Sequence, residues 1–251
     1  RAEAVVLRHS DYGEADRLLT LYTKETGKAR VIAKGVRKIR SRKAGHLEPF
    51  TRVTLQLAQA RDMPIVTQAE TIDAYLPIRE DLMRTSYAAY IVEMLDRFTY
   101  EEGENRAIFK LLTDSLTRIA SLADPFITLR YYEIHLLEDL GFRPELFYCV
   151  SCHAEIQPAD QYFSFAQGGV YCPKCGVNRP DLLPVSLNAL KFLRHLQRST
   201  FEEASRAQIP SAVRTEIESM LQQYLTYLLE RTLNTPAFIR QVRPGGSANP
   251  G

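Results

Sequence analysis

Cysteine is absent from this 251-residue chain except in one window, Cys149 to Cys175, which holds all four. A fold stapled by disulfides along its length is therefore excluded. No apolar run approaches the roughly 18 residues of a membrane helix, and no charged-then-apolar leader precedes Ala4-Val5-Val6-Leu7, so a cytoplasmic protein is expected. The phosphate loop G-x-x-x-x-G-K-[ST] is also missing. Gly27-Lys28 lacks its first glycine, which argues against ATP turnover. Glu133 and His135 do not spell H-E-x-x-H and read as local contacts, and no set of convergent carboxylates marks a hydrolase or nuclease. No catalytic residues are expected.

The cysteines that are present form two C-x-x-C pairs, Cys149-Val-Ser-Cys152 and Cys172-Pro-Lys-Cys175, separated by 19 residues. A two-residue gap lets one tight turn aim both sulfurs at a point about 2.3 Å away, and two such turns complete a tetrahedron around Zn²⁺. Gly168-Gly169 and Gly176 supply turns, so the window reads as a zinc ribbon with short strands at Gln161 to Phe165 and Val170 to Cys172. Two disulfides compete with this reading but suit the spacing less well. A thioredoxin-like pair requires only one C-x-x-C. Cys149-Val-Ser-Cys152-His153 matches the haem-attachment motif, which would leave Cys172 and Cys175 without a role and His153 as a ligand rather than a neighbour. A closed four-thiolate shell leaves no open coordination position, so the zinc is expected to be single and structural.

The apolar content of 45% is ample for a core, and the length suits one to three domains. Net charge is only +2 but is unevenly spread. Residues 1–76 carry 14 Lys and Arg against 9 Asp and Glu; residues 77–148 carry 8 against 13. A basic first third beside an acidic middle points to a polyanion at one end and a different partner at the other.

The first third alternates with period two. Strands are expected at Ala2 to His9, Asp16 to Thr23, Lys28 to Gly35, Val53 to Leu57 and Ile65 to Ala74, with turns at Ser10 to Gly13 and Lys24 to Gly27. Five short strands without helical period predict a small closed barrel, an OB-fold or alternatively an SH3-like barrel. Between the third and fourth strands, Lys34 to Lys43 has six cations in ten residues, and no acid occurs from Arg30 to Leu47. A solvated loop is the plain reading. A phosphate backbone would relieve its self-repulsion, with Arg30, Lys34, Arg37, Lys38, Arg40, Arg42 and Lys43 as contacts. Tyr12, Tyr22 and Phe50 flank the region as candidate stacking platforms, although core or barrel rim is the plainer reading of each.

From Pro77 the apolar spacing becomes helical. One helix is expected through Ile78, Leu82, Tyr87, Ile91, Met94, Leu95 and Phe98 to Tyr100, and a second through Ile108 to Ile119. A third, Phe126 to Leu140, follows the Asp124 cap and Pro125, closes at Gly141, and is apolar nearly all round, as a buried central helix would be. Later helices run from Ser186 to Arg198 and from Ser211 to Glu230, and the tail Pro244 to Gly251 has a disordered composition. The fold class is thus α+β and multidomain: a small β-barrel (OB-fold) at 1–76, then an α-helical domain at 77–251 with a zinc ribbon inserted at 147–180.

Tyr131 to Cys152, a leucine-rich helix ending in Gly141-Phe-Arg-Pro144-Glu-Leu146 just before the first cysteines, resembles the bacterial RecO recombination mediators. So do Tyr12-Gly-Glu-x-Asp16, Ala33-Lys-Gly35-Val-Arg37, the basic loop ending in Leu47-Glu-Pro-Phe50, and Leu229 to Val242. The resemblance spans nearly the whole chain in order. It implies an OB-fold, a helical domain with a zinc ribbon, DNA binding and annealing, partnership with RecR, contact with the tail of single-strand DNA-binding protein, and help in loading RecA. An acidic tail would avoid the acidic stretch 77–148, so its pocket needs a local cationic rim, for which Lys191, Arg194, Arg198 and Arg206 are the candidates. The competing classes are a zinc-ribbon nucleic-acid adaptor in transcription and a zinc hydrolase. A sequence-specific factor would want a recognition helix, whereas these cations lie in a loop.

Overall fold

The computed structural model describes residues 1–100, 103, 105–121 and 125–229. Residues 122–124, with the Asp124 cap, and everything after Leu229 lie outside them. The five expected strands form a closed barrel: β1 (Ala2–Tyr12), β2 (Asp16–Thr23), β3 (Gly27–Ala33), β4 (Arg52–Ala58) and β5 (Ile65–Asp73). Their order is β1-β2-β3-β5-β4, with β4 returning to pair antiparallel with β1. That is an OB-like barrel, which decides between the two barrels that the sequence left open. The rung that closes it is parallel, Ile32 opposite Ile65.

Inward positions alternate as the pleat requires. Ala4, Val6, Leu19, Leu21, Val31, Ala33, Val53, Leu55 and Val66 form one cluster, capped by Val36 and Leu47 from the β3–β4 connection. Several strand ends differ from expectation, by one to three residues. β1 continues through Ser10 to Tyr12, because Tyr12 pairs with Asp16, and the turn moves to residues 13–15 with Gly13 at φ 59°. A bulge between Val6 and Arg8 breaks the register, and Leu7 there is buried. The β2–β3 hairpin turns at Gly27 (φ 72°), where a Cβ would run into the carbonyl of Gly103.

The first expected helix is two. α1 (Leu76–Arg79) stops at Glu80, and Asp81 then caps α2 (Leu82–Phe98) by accepting a hydrogen bond from Arg84 N at 2.8 Å. The apolar spacing carries across this break, which hid it from a periodicity reading. α3 (Arg106–Ser121) follows, and Tyr75 Oη donates to Thr113 O in it at 3.4 Å. α2 is fastened to the barrel through Asp96. Its carboxylate lies 2.7 Å from Lys28 Nζ and 2.9 Å from Arg8 Nε, and Lys28 Nζ also donates to the carbonyls of Asp96 and Thr99. These residues up to Pro125 make one compact unit; a second begins at Phe126.

The second unit starts with α4 (Phe126–Asp139), whose Phe126, Ile127, Leu129, Tyr132, Ile134, Leu136 and Leu137 are all buried, as expected of a central helix. It ends in a Schellman motif: Phe142 N donates to Leu137 O and Gly141 N to Glu138 O, with Gly141 at φ 82°. Then come β6 (Gln161–Ser164), β7 (Gly169–Tyr171), the single turn α5 (Pro173–Gly176), β8 (Leu183–Val185), α6 (Leu187–Arg198), α7 (Phe201–Ala204) and α8 (Ser211–Leu229). β8 and α7 carry too few residues for a periodic signal and were not expected. The sheet order is β7-β6-β8, so the ribbon's sheet extends past residue 180, with Pro184 tolerated on an edge strand. Ser186 caps α6 through Ala189 N and gives its own N–H and hydroxyl to Glu216 of α8.

Burial raises the carboxyl of Asp96, but Lys28 and Arg8 outweigh it and hold the group below its ordinary value of 3.8. Because the folded value is depressed, this contribution is fully present above the unfolded value and is lost as pH falls through the folded one. Asp96→Asn is expected to lower stability by about 1–3 kcal/mol at neutral pH, and the gap to the parent should close as pH drops below 3.8. Urea denaturation of both chains across that pH range measures it.

Candidate metal centre and nucleic-acid interface

The two knuckles bring the four sulfurs together within 4.8 Å of one another, with Cys152 Sγ and Cys172 Sγ 3.9 Å apart. Thiolates about 2.3 Å from a tetrahedral ion stand about 3.8 Å from each other, so the donor set fits one such ion. In the first knuckle His153 N donates to Cys149 O at 2.8 Å and Cys149 N to Ala154 O at 2.9 Å. His153 turns the chain there at φ 60° and is not one of the clustered donors. In the second, Cys175 N and Gly176 N both donate to Cys172 O, and a Cβ on Gly176 would enter the Tyr162 ring. Cys149 is buried and Cys152 exposed. Burial alone would raise the Cys149 thiol, yet backbone N–H groups of Cys152, Cys172 and Ser151 bring it down to about 6. Hydrogen bonding with the sulfurs of Cys172 and Cys152 pushes Cys175 up to about 12. A cation at the centre would favour the thiolate at all four. Convergence also gives Cys172 and Cys175 the role that haem attachment denies them.

The cations of the β3–β4 connection divide into held and presented. Arg37 Nη2 lies 3.1 Å from Asp11, and its backbone N–H donates to Ala15 O. Lys43 Nζ donates to Val66 O at 2.9 Å. Lys34, Lys38, Arg40 and Arg42 on the connection are exposed; Arg30 on β3 is exposed as well but is not without a partner. Arg42 and Lys43, with His46, Thr54, Gln56, Thr67, Gln68 and Glu70, line a depression of about 580 Å³ over β4 and β5. The polar face of those strands was legible as the residues alternating with Val53 and Leu55, but it did not announce a groove. Of the three flanking aromatics, Tyr22 takes the core reading: only 2% exposed, it belongs to the barrel's buried residues and cannot meet a base. Tyr12 is 47% exposed, and Phe50 is half-buried at φ 70°.

A second cationic site lies between the first knuckle and α6. Lys191, Arg194, His195 and Arg198 face Phe147, Tyr148 and Glu155 around a cavity of about 340 Å³. Arg198 stacks on Phe147 at 3.6 Å and Arg194 at 5.1 Å, while Arg194 Nε donates to Leu146 O. Burial and the neighbouring Arg198 lower the Arg194 guanidinium, and its Nη2 has no acceptor among the described residues. Arg206, beyond α7, does not line this cavity. Phe147, Tyr148 and Glu155 were missed because their sequence position speaks only of the ribbon.

The chain matches two family models in sequence order, "Recombination protein O N terminal" over residues 1–75 and "Recombination protein O C terminal" over residues 79–237. It belongs to the RecO family. A DNA repair protein RecO of Roseiflexus sp. (strain RS-1) is 45% identical over 244 residues, covering 97% of this chain and 86% of the relative. Those of Dehalococcoides mccartyi (strain ATCC BAA-2266 / KCTC 15142 / 195) and Bacillus pumilus (strain SAFR-032) are 36% and 32% identical, covering 92% and 96% of this chain and 91% and 94% of theirs. Membership places the chain among DNA repair proteins rather than enzymes. The first RecO model covers the barrel, and the second takes in α2 and α3 as well as the unit that begins at Phe126. No helix among the described residues is long and apolar enough to cross a membrane.

The RecO-family chain, freshly purified, is expected to carry one metal ion by mass spectrometry. Cys149→Ser and Cys175→Ser should lose it and destabilise the second unit, leaving the barrel folded. Full stability in a metal-free parent would remove the site.

Proposed function

We propose that this chain is a non-catalytic recombination mediator that binds and anneals DNA without sequence specificity. With RecR, it helps load RecA onto strands coated by single-strand DNA-binding protein. The observation that carries the DNA reading is the cationic run from Lys34 to Lys43, free of acid and anchored on a closed barrel, with Lys34, Lys38, Arg40 and Arg42 presented to solvent. In this reading the barrel at 1–76 meets DNA and the region 77–251 meets proteins. Arg30 and the Lys34 to Lys43 cations supply phosphate contacts by counterion release. Arg37 and Lys43 contribute less than Lys38 and Arg40, because each already has a partner. The clustered thiolates hold one structural Zn²⁺, the ion that soft sulfur donors in a closed tetrahedral shell favour.

The cavity beside α6 is the proposed seat for the acidic-hydrophobic tail of single-strand DNA-binding protein. The cationic lining of Lys191 and Arg198 suits a carboxylate, and the ring of Tyr148, 53% exposed, offers apolar surface beside it. Arg206 has no part in that seat unless the tail extends past α7.

Two measurements test this reading. DNA affinity is expected to fall steeply with salt, with a slope of about −0.7 to −0.9 per phosphate contact. Lys38→Glu with Arg40→Glu should flatten it by about two contacts and weaken every sequence alike; unchanged affinity would return the connection to a solvated loop. Separately, Arg194→Glu and Arg198→Glu should each weaken tail-peptide binding by about tenfold or more in calorimetry. Parent-like binding by both variants would displace the seat.

A further inference from the structure

Ile39 is 104% exposed, the most exposed large apolar side chain among the described residues. It sits between Lys38 and Arg40 in a stretch otherwise made of cations, small residues and the buried Val36. Ser41 N donates to Lys38 O at 2.8 Å, so Ile39 and Arg40 occupy the two central positions of a hydrogen-bonded β-turn. Those positions ordinarily go to Gly, Pro, Asn, Asp or Ser. Isoleucine there gains nothing from the fold and leaves a branched hydrocarbon in water.

The turn is firmly held at its base. On one side, Gly35 N donates to Asp16 Oδ1 at 2.7 Å, Lys38 N to Gly35 O, and Val36 is buried in the barrel's cluster. On the other, Lys43 Nζ reaches Val66 O, and a 3-10 turn, Ala44–His46, leads into the fully buried Leu47. Anchoring on both sides lowers the conformational entropy lost when the apex meets a partner. An apolar point flanked by cations and projected from a rigid scaffold matches the wedges that enter a base step while neighbouring Lys and Arg engage the phosphates.

We infer that Ile39 is a wedge that inserts between adjacent bases and unstacks them when the flanking cations hold the backbone. This rests on the DNA reading above and adds the contact that opens the stack. Its ligand is a nucleic-acid strand, with either strand of a duplex or a free single strand offering the same π-faces. A cationic apex with an apolar tip also suits an anionic membrane. One isoleucine side chain, however, buries far less hydrocarbon than the two signals that stable anchoring takes.

The probe is an oligonucleotide carrying 2-aminopurine, whose fluorescence rises when its base unstacks, titrated with the full chain as a single strand and as a duplex. The parent is expected to raise the fluorescence at saturation. Ile39→Ser should abolish that rise and weaken affinity by about tenfold, with the parent's salt slope kept, whereas Ile39→Leu should restore the signal. Lys38→Glu with Arg40→Glu should instead lose affinity and slope together. A full fluorescence rise in Ile39→Ser at saturation would overturn the wedge while leaving the DNA reading standing. No binding by the parent to either form would overturn both. Binding to phosphatidylserine vesicles that Ile39→Ser abolishes, with the 2-aminopurine signal unchanged, would assign the residue to a membrane and also overturn the wedge.

Discussion

Barrel closure depends on one parallel rung between β3 and β5, Ile32 opposite Ile65, reinforced by Ile32 N donating to Pro64 O. A parallel rung cannot be reached by a hairpin. The chain must leave β3 and travel through residues 34–51 before β4 and β5 can bring it back. That excursion carries six cations in ten residues, a density that would repel itself if it collapsed. Val36 and Leu47 bury into the barrel core at its two ends, so the charged middle stays on the surface as a fixed feature. Closure and the exposed cationic surface are thus two results of one topological constraint.

The second unit solves a similar problem with sulfur. A sheet as small as β7-β6-β8 buries little apolar surface, and a metal between two knuckles would supply the ordering that its core cannot. The first knuckle follows Phe147 and Tyr148 directly and leads into Glu155, which together form one wall of the cavity beside α6. The opposite wall is tied to it where Arg194 donates to Leu146 O. Order at the cysteines and the shape of the cationic cavity are therefore mechanically linked.

Much of this was legible beforehand, for identifiable reasons. Period-two alternation showed all five barrel strands, since Val53, Leu55 and their counterparts must face inward. Gly141 marked the end of α4 because only a residue tolerant of φ 82° completes its Schellman motif cheaply. The cysteine spacing foretold the convergence of the four sulfurs. The break at Asp81 was hidden because apolar spacing continues on both sides of it. β8 was hidden because three residues, one of them Pro184, make no pattern until Val185 finds Gln161. Tyr22 stood between core and stacking platform because an aromatic ring says nothing by itself about its exposure, and only its burial settles it.

What the sequence determined alone was the inventory and its local geometry: periodicity, caps, turn residues, the spacing of thiols and the clustering of charge. Each of these depends on neighbours a few residues apart, so the chain itself records them. The tertiary structure alone decided which cations are spent and which are free to act. Arg37 meets Asp11 and Lys43 meets the carbonyl of Val66, whereas Lys38 and Arg40 are exposed on either side of Ile39. It also decided that Phe147 and Tyr148 face Arg194 and Arg198 across nearly fifty residues of sequence. Pairings of that kind are set by barrel closure and helix packing, which act over distances that no local pattern encodes.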